Sequence, residues 1–396
     1  MTPHPANDHL GRAADAVREW GGRWVERFGA RDFVCAPAGL WLALGAVASG
    51  ARGRTAAELR EVVGAGGEAA AEAVTEVGRR IGEGAAAGVA VATGVWSRVP
   101  VRGAFRRGLP DVRFGVLPGA AYFALPDAAF GATDDLSFEP GTGPADADAQ
   151  GEIETWVRGA TGGRITRLPL ELDGSEQLVL VNALALKASW ASAFPRHLTR
   201  DAPFTDGDGV TRPVPTMHRR VPGAWAWRTG RVTVVELPCA GEGVPRVRFA
   251  LGPRDAGPGE VITAAWADGG GGRAPFGARA VDLALPRFSL RTRTDVTRDL
   301  PALGVTRAVR PGADFSGLSA AELFVSGVGQ GALVEIAEEG VEAAAVTQVT
   351  MARSAAPPRP GAAERIAFDR PFGVVVLDAT GRLPLFAGWR RTAPVV

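Results

Sequence analysis

The amino-acid sequence predicts an α+β fold. Helical periodicity is concentrated before about residue 160, strand patterns dominate from Val232 onward, and Leu178 to Leu186 (LVLVNALAL) is a near-continuous apolar run. Such a run suits a central strand buried on both faces. Helices gathered first and strands later argue for α+β rather than an alternating α/β order.

Taken in order, Asn7 to Phe28 suits an amphipathic helix, with Leu10, Ala13, Val17, Trp20 and Trp24 at helical spacing. A second helix follows Pro37, a residue favoured at the first helical position, and is apolar nearly all round. Thr55-Ala56-Ala57-Glu58 reads as a capping box opening a third helix, which Gly64 closes. Glu68 to Ile81 fits a fourth, and Gly84 to Trp96 turns to strand character. Residues 100 to 150 are rich in Gly, Pro, Ala and Asp and show little periodicity. Glu152 to Ala160 recovers as a short amphipathic helix. Further strands are expected at Val232–Leu237, Val247–Leu251, Val281–Leu285, Leu323–Val328, Leu333–Ile336, Gly373–Leu377 and Leu383–Ala387.

A length of 396 residues allows one large domain or two, and no repeat or clean linker marks a boundary. Lys+Arg 44 against Asp+Glu 43 leaves a net charge of +1, which argues against nucleic acid as the main partner. Lys187 is the only lysine; with 53 glycines this reads as the codon bias of a high-GC genome. Cys35 and Cys239 lie in apolar surroundings and give no disulfide framework, so buried free thiols are expected. No stretch is long and apolar enough to span a membrane, and the N-terminus lacks a signal-peptide core, so a cytoplasmic location is expected.

Enzyme signatures are mostly absent. There is no HExxH, no metal-like Cys/His spacing and no GxSxG elbow. Gly327-Val328-Gly329-Gln330-Gly331 resembles a phosphate loop only faintly: it lies between two strands, lacks the following helix and lysine, and reads better as a strand kink. His197 or His218 could be placed in a triad, but nothing in the flanking residues favours either.

The most informative stretch is Gln330 to Phe372. Leu333 to Ile336 reads as a strand; after Glu338-Glu339-Gly340 the chain loses bulk. At period two, Val341, Ala343, Ala345, Thr347 and Val349 share one small, largely apolar face, and Glu342, Ala344, Val346, Gln348 and Thr350 share the other. The same residues also fit an alanine-rich surface loop or short helix.

Several stretches in one order resemble the serpin family over nearly the whole chain. Glu338-Glu339-Gly340-Val341-Glu342-Ala343-Ala344-Ala345-Val346-Thr347 resembles the proximal hinge of an inhibitory reactive-centre loop. Phe368-Asp369-Arg370-Pro371-Phe372 with Leu385-Phe386-Ala387-Gly388 resembles the C-terminal signature. Val181-Asn182-Ala183-Leu184 with Trp190 and Phe194-Pro195 resembles the central strand and its turn. Leu285-Pro286-Arg287-Phe288, and Leu303 through Ser319, resemble further blocks, and Glu152 to Leu168 the helix lying across the main sheet.

The resemblance implies a single domain over residues 1–396, with helices, three β-sheets and an exposed reactive-centre loop at 338–360. It implies a suicide-substrate inhibitor rather than an enzyme. A serine (or cysteine) protease would attack the loop, and the cleaved loop would enter the main sheet as a new strand, trapping the acyl-enzyme. No cofactor, metal, nucleic acid or membrane is implied, and a monomer of prokaryotic type is expected. A non-inhibitory serpin-fold binding or chaperone-like protein is the alternative, and a hydrolase with a hidden triad a remote one. The reactive bond is expected at Arg353-Ser354, which favours a trypsin-like target. Counting at the family's usual loop length gives Ser354-Ala355 instead, which favours elastase- or subtilisin-like targets. Asn182, Trp190 and Gln330 are expected near the sheet opening. The chain departs from the family in having Ala36-Pro37-Ala38-Gly39 where serines are usual, Gln330 where histidine is common, and Val341 where Thr or Ser is frequent.

Overall fold

The computed structural model describes residues 8–83, 88–117, 149–267, 272–341 and 363–394. Helix α1 (His9–Arg27) starts where the Asp8 carboxylate accepts a hydrogen bond from the Gly11 amide, 2.7 Å, and buries Leu10, Ala13, Val17, Trp20 and Trp24 as the spacing predicts. After β1 (Phe33–Cys35), helix α2 (Pro37–Gly50) carries Pro at its start and buries every residue except Ser49. Helix α3 (Gly53–Val63) ends on Gly64 at φ 79°, and α4 (Glu68–Glu83) follows.

The capping-box expectation fails. Helix α3 begins earlier, with Arg52 at the cap and no side-chain cap bond. The Thr55 hydroxyl instead accepts from the Asp314 amide, and the Glu58 carboxylate accepts from the Thr306 hydroxyl and the amides of Arg307 and Ala308. A distant loop offers these oxygens more donors than their own helix end does.

Strand β2 (Val89–Ser97), helix α5 (Gly103–Arg107) and strand β3 (Arg113–Val116) come next, so the start of the unreadable stretch is ordered. Helix α6 (Ala149–Ala160) begins one turn before the expected Glu152. Strand β4 (Leu178–Leu186) is buried at every residue, as expected. Then come β5 (Ala188–Ser189), β6 (Arg200–Thr205), β7 (Thr211–Pro222), β8 (Ala226–Thr229), β9 (Val232–Pro238) and β10 (Arg246–Leu251). Helix α7 (Pro258–Trp266) interrupts the expected run of strands. The remainder is β11 (Arg273–Pro275), β12 (Ala280–Pro286), β13 (Phe288–Asp295), β14 (Val325–Ile336), β15 (Gly340–Val341), β16 (Glu364–Ala367), β17 (Phe372–Leu377) and β18 (Pro384–Arg390).

Among the described residues the strands form three sheets, ordered β3-β2-β4-β14-β15-β5 with β13 also on β14, then β16-β12-β7-β6, then β1-β18-β17-β10-β9-β8-β11. The strands expected at Leu323–Val328 and Leu333–Ile336 are one strand, β14, whose parallel register on β4 shifts between Val325 and Gly327. The glycine run is therefore strand with an irregularity, as the strand-kink reading expects. A Cβ on Gly329 would lie 2.7 Å from Leu170, and one on Gly331 2.8 Å from Ile165. The missing side chains let the segment after α6 lie close against β14.

Strand β4 divides the interior. Leu178, Leu180, Leu184 and Leu186 enter the main core, while Val179, Val181 and Ala183 meet Ile153 and Val157 of α6. Trp156 of α6 packs edge-on against Trp96 of β2 at 5.0 Å. A helix thus lies across the main sheet. No helix of the described residues is long and apolar enough to cross a membrane.

Candidate functional site: the hinge and the sheet opening

Strand β14 ends at Ile336, and the chain reverses through a tight turn closed by the Ala337 amide donating to the Gly340 carbonyl, 2.9 Å. Val341 then pairs with Ile336 of β14 and with Ala188 of β5, while Gly340 pairs with Ser189. Val341 is fully buried. Gly340 and Val341, the start of the expected hinge, are therefore seated between two strands. Gly340 fits for want of space: a Cβ there would stand 2.0 Å from the Ala188 carbonyl oxygen. Its φ is not in the left-handed region, so the requirement is close approach rather than backbone freedom.

Polar contacts hold the turn. The Glu338 side chain is 2% exposed and accepts from the Arg287 guanidinium at 2.5 Å and the Thr199 hydroxyl at 2.8 Å. The carbonyls of Glu338 and Glu339 accept from the amides of Phe194 and Trp190, both at 2.8 Å. The Trp190 indole N–H donates to the Ala337 carbonyl, 2.9 Å, and Glu339 pairs with Arg196 at the surface. Trp190, expected at the sheet opening, thus holds the turn at Ala337 and Glu339.

Burial pushes the Glu338 carboxyl up, but the hydrogen bonds from Arg287 and Thr199 outweigh this and hold it below the ordinary range. A carboxyl with a depressed folded pKa stabilises fully above the unfolded value near ~4.3 and stops doing so as pH falls through the folded one. Melting temperatures of the wild type and Glu338→Gln should therefore differ most at neutral pH and converge on acidification below about pH 4. A difference that stays constant with pH would rule out the ionised carboxylate as the anchor.

Asn182 on β4 and Gln330 on β14 are register partners, each 1% exposed. Gln330 Nε2 donates to the Ala36 carbonyl at 2.9 Å and, at 3.5 Å, to Asn182 Oδ1, while its Oε1 accepts from the Ala36 amide at 2.8 Å. Asn182 Nδ2 donates to the Ala92 carbonyl and the Thr93 hydroxyl. The two amides stitch β2, β4, β14 and the start of α2 together. Within Ala36-Pro37-Ala38-Gly39, the glycine lies close against the pair: a Cβ on Gly39 would stand 1.9 Å from Asn182 Oδ1, so a side chain there would require Asn182 to shift.

The structure brings Glu338, Glu339, Gly340 and Val341 to Trp190, and Asn182 to Gln330. Glu342, Ala343, Ala344, Ala345, Val346 and Thr347, with Arg353, Ser354 and Ala355, lie outside the described residues. Sequence reading missed Arg287, Thr199 and Arg196 as anchors and Gly39 as a seat. Arg287 was visible only inside a family block, and the others carried no local signal. Cys35 and Cys239 are buried and free, and burial pushes the Cys239 thiol up to about 12.

A family model described as "Serpin (serine protease inhibitor)" matches residues 142–392. The chain belongs to the serpin family. Among curated relatives, this serpin is 33% identical over 218 residues to "Leukocyte elastase inhibitor" of Equus caballus, covering 52% of this chain and 58% of that one. It is 34% identical over 216 residues to "Iripin-5" of Ixodes ricinus, covering 53% of each. The chain thus spans a little over half the length of the curated relatives it matches. Among solved structures, Serpin48 of Tenebrio molitor superposes with a TM-score of 0.76 at 23% identity, covering 98% of this chain and 100% of that one. Native protease nexin-1 with heparin gives 0.73 at 21%, covering 97% and 99%. These likenesses establish the serpin fold along nearly the full chain.

Proposed function

We propose that this serpin is a suicide-substrate inhibitor of a serine protease, with residues 1–396 acting as one domain and 338–360 as its reactive-centre loop. The observation that carries the reading is the seating of Gly340 and Val341 between β14 and β5, followed in sequence by a run with one small face. In the proposed step the protease hydroxyl attacks the carbonyl of Arg353, forming an ester and releasing the amine of Ser354. The freed loop then continues the strand begun at Gly340, parting β4 from β14. Arg353 favours a trypsin-like protease through its charge. Cleavage at Ser354-Ala355 would instead favour an elastase- or subtilisin-like one, and the name of the equine relative agrees with that second choice. The chain itself catalyses nothing in this scheme; its partner is the protease, and it acts as a monomer without cofactor in the cytoplasm. The expected prokaryotic type finds no support among the relatives named above, which are animal proteins.

Incubation with trypsin, elastase and subtilisin, read by SDS gel and intact mass, tests mechanism and bond together. The expected result is a covalent complex of one protease per chain and release of the peptide beginning at Ser354. Clean cleavage with every protease and no complex would leave the non-inhibitory alternative standing.

A further inference from the structure

A cleft of about 600 Å³ opens between the β6-β7-β12-β16 sheet and the β8-β9-β10 side of the neighbouring sheet. Neither Glu338 nor the Asn182–Gln330 pair lines it. Its volume is that of an ordinary small-molecule site. Leu251, Ala284, Ile366 and Phe368 form an apolar part of its lining, and all four are buried. Thr216 and Thr233 face it from opposite sheets; the Thr216 hydroxyl is already donated to the Val214 carbonyl.

The rim is charged, and its charges are not evenly spent. Asp369 is bound by Arg370, whose remaining nitrogens donate to the Gly252 carbonyl. That leaves Arg228, Arg365 and Glu364. Both arginines are exposed, and among the described residues neither has a carboxylate partner. The Arg228 guanidinium instead lies over the Phe276 ring, 5.2 Å from its centre, which places a flat cationic surface at the mouth. The positive field extends along the same sheet: burial, then the charges of Arg200 and Arg365, lower the pKa of His218. A neutral apolar ligand would leave these guanidinium groups idle, and with two arginines against the single carboxylate of Glu364 the rim favours an anion over a cation. An apolar molecule with one anionic group satisfies both the wall and the rim, because guanidinium matches carboxylate in shape and charge.

We propose that this cleft binds a small apolar carboxylate, its hydrocarbon body in the gap between the sheets and its carboxylate at the rim that carries Arg228 and Arg365. None of its lining residues belongs to the hinge segment or the sheet opening, so ligand binding is measured apart from protease trapping. Its roof strand β16 begins at Glu364, close after the segment 342–362.

The test uses 1-naphthoate as probe and 1-naphthamide as its uncharged twin, titrated calorimetrically into the full chain. Naphthoate is expected to bind one site, with the amide weaker by roughly tenfold or more, the loss expected for a charge-assisted hydrogen bond. The double variant Arg228→Ala/Arg365→Ala should weaken naphthoate by a similar factor and leave the amide unchanged; both positions are exposed, so the fold is retained. Ala202→Trp should block both ligands by filling the cleft, and Thr233→Phe makes the same test from the opposite wall should the first variant not fold. Equal affinity for the two probes, unaltered naphthoate binding in the double arginine variant, or no saturable binding up to about 1 mM, the weak end of specific association, would each overturn the proposal.

Discussion

Replacing Val341 by arginine is expected to turn a trapping inhibitor into an ordinary substrate. Val341 is fully buried, with Ile336 on one side and Ala188 on the other. An unpaired charge at such a site costs about 3–5 kcal/mol, more than one strand pair returns. The hinge would then leave its seat, and the strand that should grow from it would have no beginning. Cleavage would continue, because the protease reads residues further along the loop. The measurement is the ratio of SDS-resistant complex to cleaved chain under the wild-type conditions. Val341→Ala, small and apolar, should keep the complex; Val341→Arg should abolish it. An unchanged yield from the arginine variant would mean that the seat at β15 plays no part in trapping.

Cleavage of the reactive-centre loop is expected to raise the melting temperature rather than lower it. In the intact chain β4 and β14 pair directly and in parallel from Leu178 to Ala185. An inserted strand replaces that one interface with two, a net gain of one row of hydrogen bonds. About ten residues at roughly 1 kcal/mol each correspond to a shift on the order of 10 °C in a chain of this length. The intact fold is then held by a kinetic barrier rather than by being the most stable arrangement. Thermal scans of intact and singly cleaved protein, with the cut confirmed by mass, decide this. A cleaved form melting at or below the intact one would contradict insertion.

The features legible in the sequence were those written locally. Strand β4 announces itself by eight apolar positions flanking Asn182, and α1 by its tryptophans at helical spacing. The turn at Glu338-Glu339-Gly340 is marked by the loss of bulk that follows it, and the run after Val341 lies outside the described residues. What stayed hidden depends on distance along the chain. Glu338 finds Arg287 51 residues away and Thr199 139 away, and no local signal joins them. Ala36 to Gly39 reads as an absence of serines, whereas in space Gly39 leaves room for the Asn182 side chain where a Cβ would lie 1.9 Å from it. The β6–β7 hairpin was masked by Pro203, Pro213 and Pro215, which usually speak against strands; here Pro203 and Pro213 face each other across it. Strand β13 did carry a signal, Phe288 and Leu290 buried with Ser289 and Arg291 between them, and alternation over so few residues was easily passed over.

The pairing of Gly340 with Ser189 and of Val341 with Ala188 has a kinetic meaning under the proposed mechanism. Strand growth has a nucleation step, in which two ends must meet in the right alignment, and a propagation step, in which each added pair follows from the last. Here the nucleus exists before any protease arrives. Its alignment also decides which face of the incoming run turns inward, since a slip of one residue would exchange Ala343 and Ala345 for Glu342 and Ala344. The race against release of the protease is thereby reduced to zipping speed, with the choice of track already made.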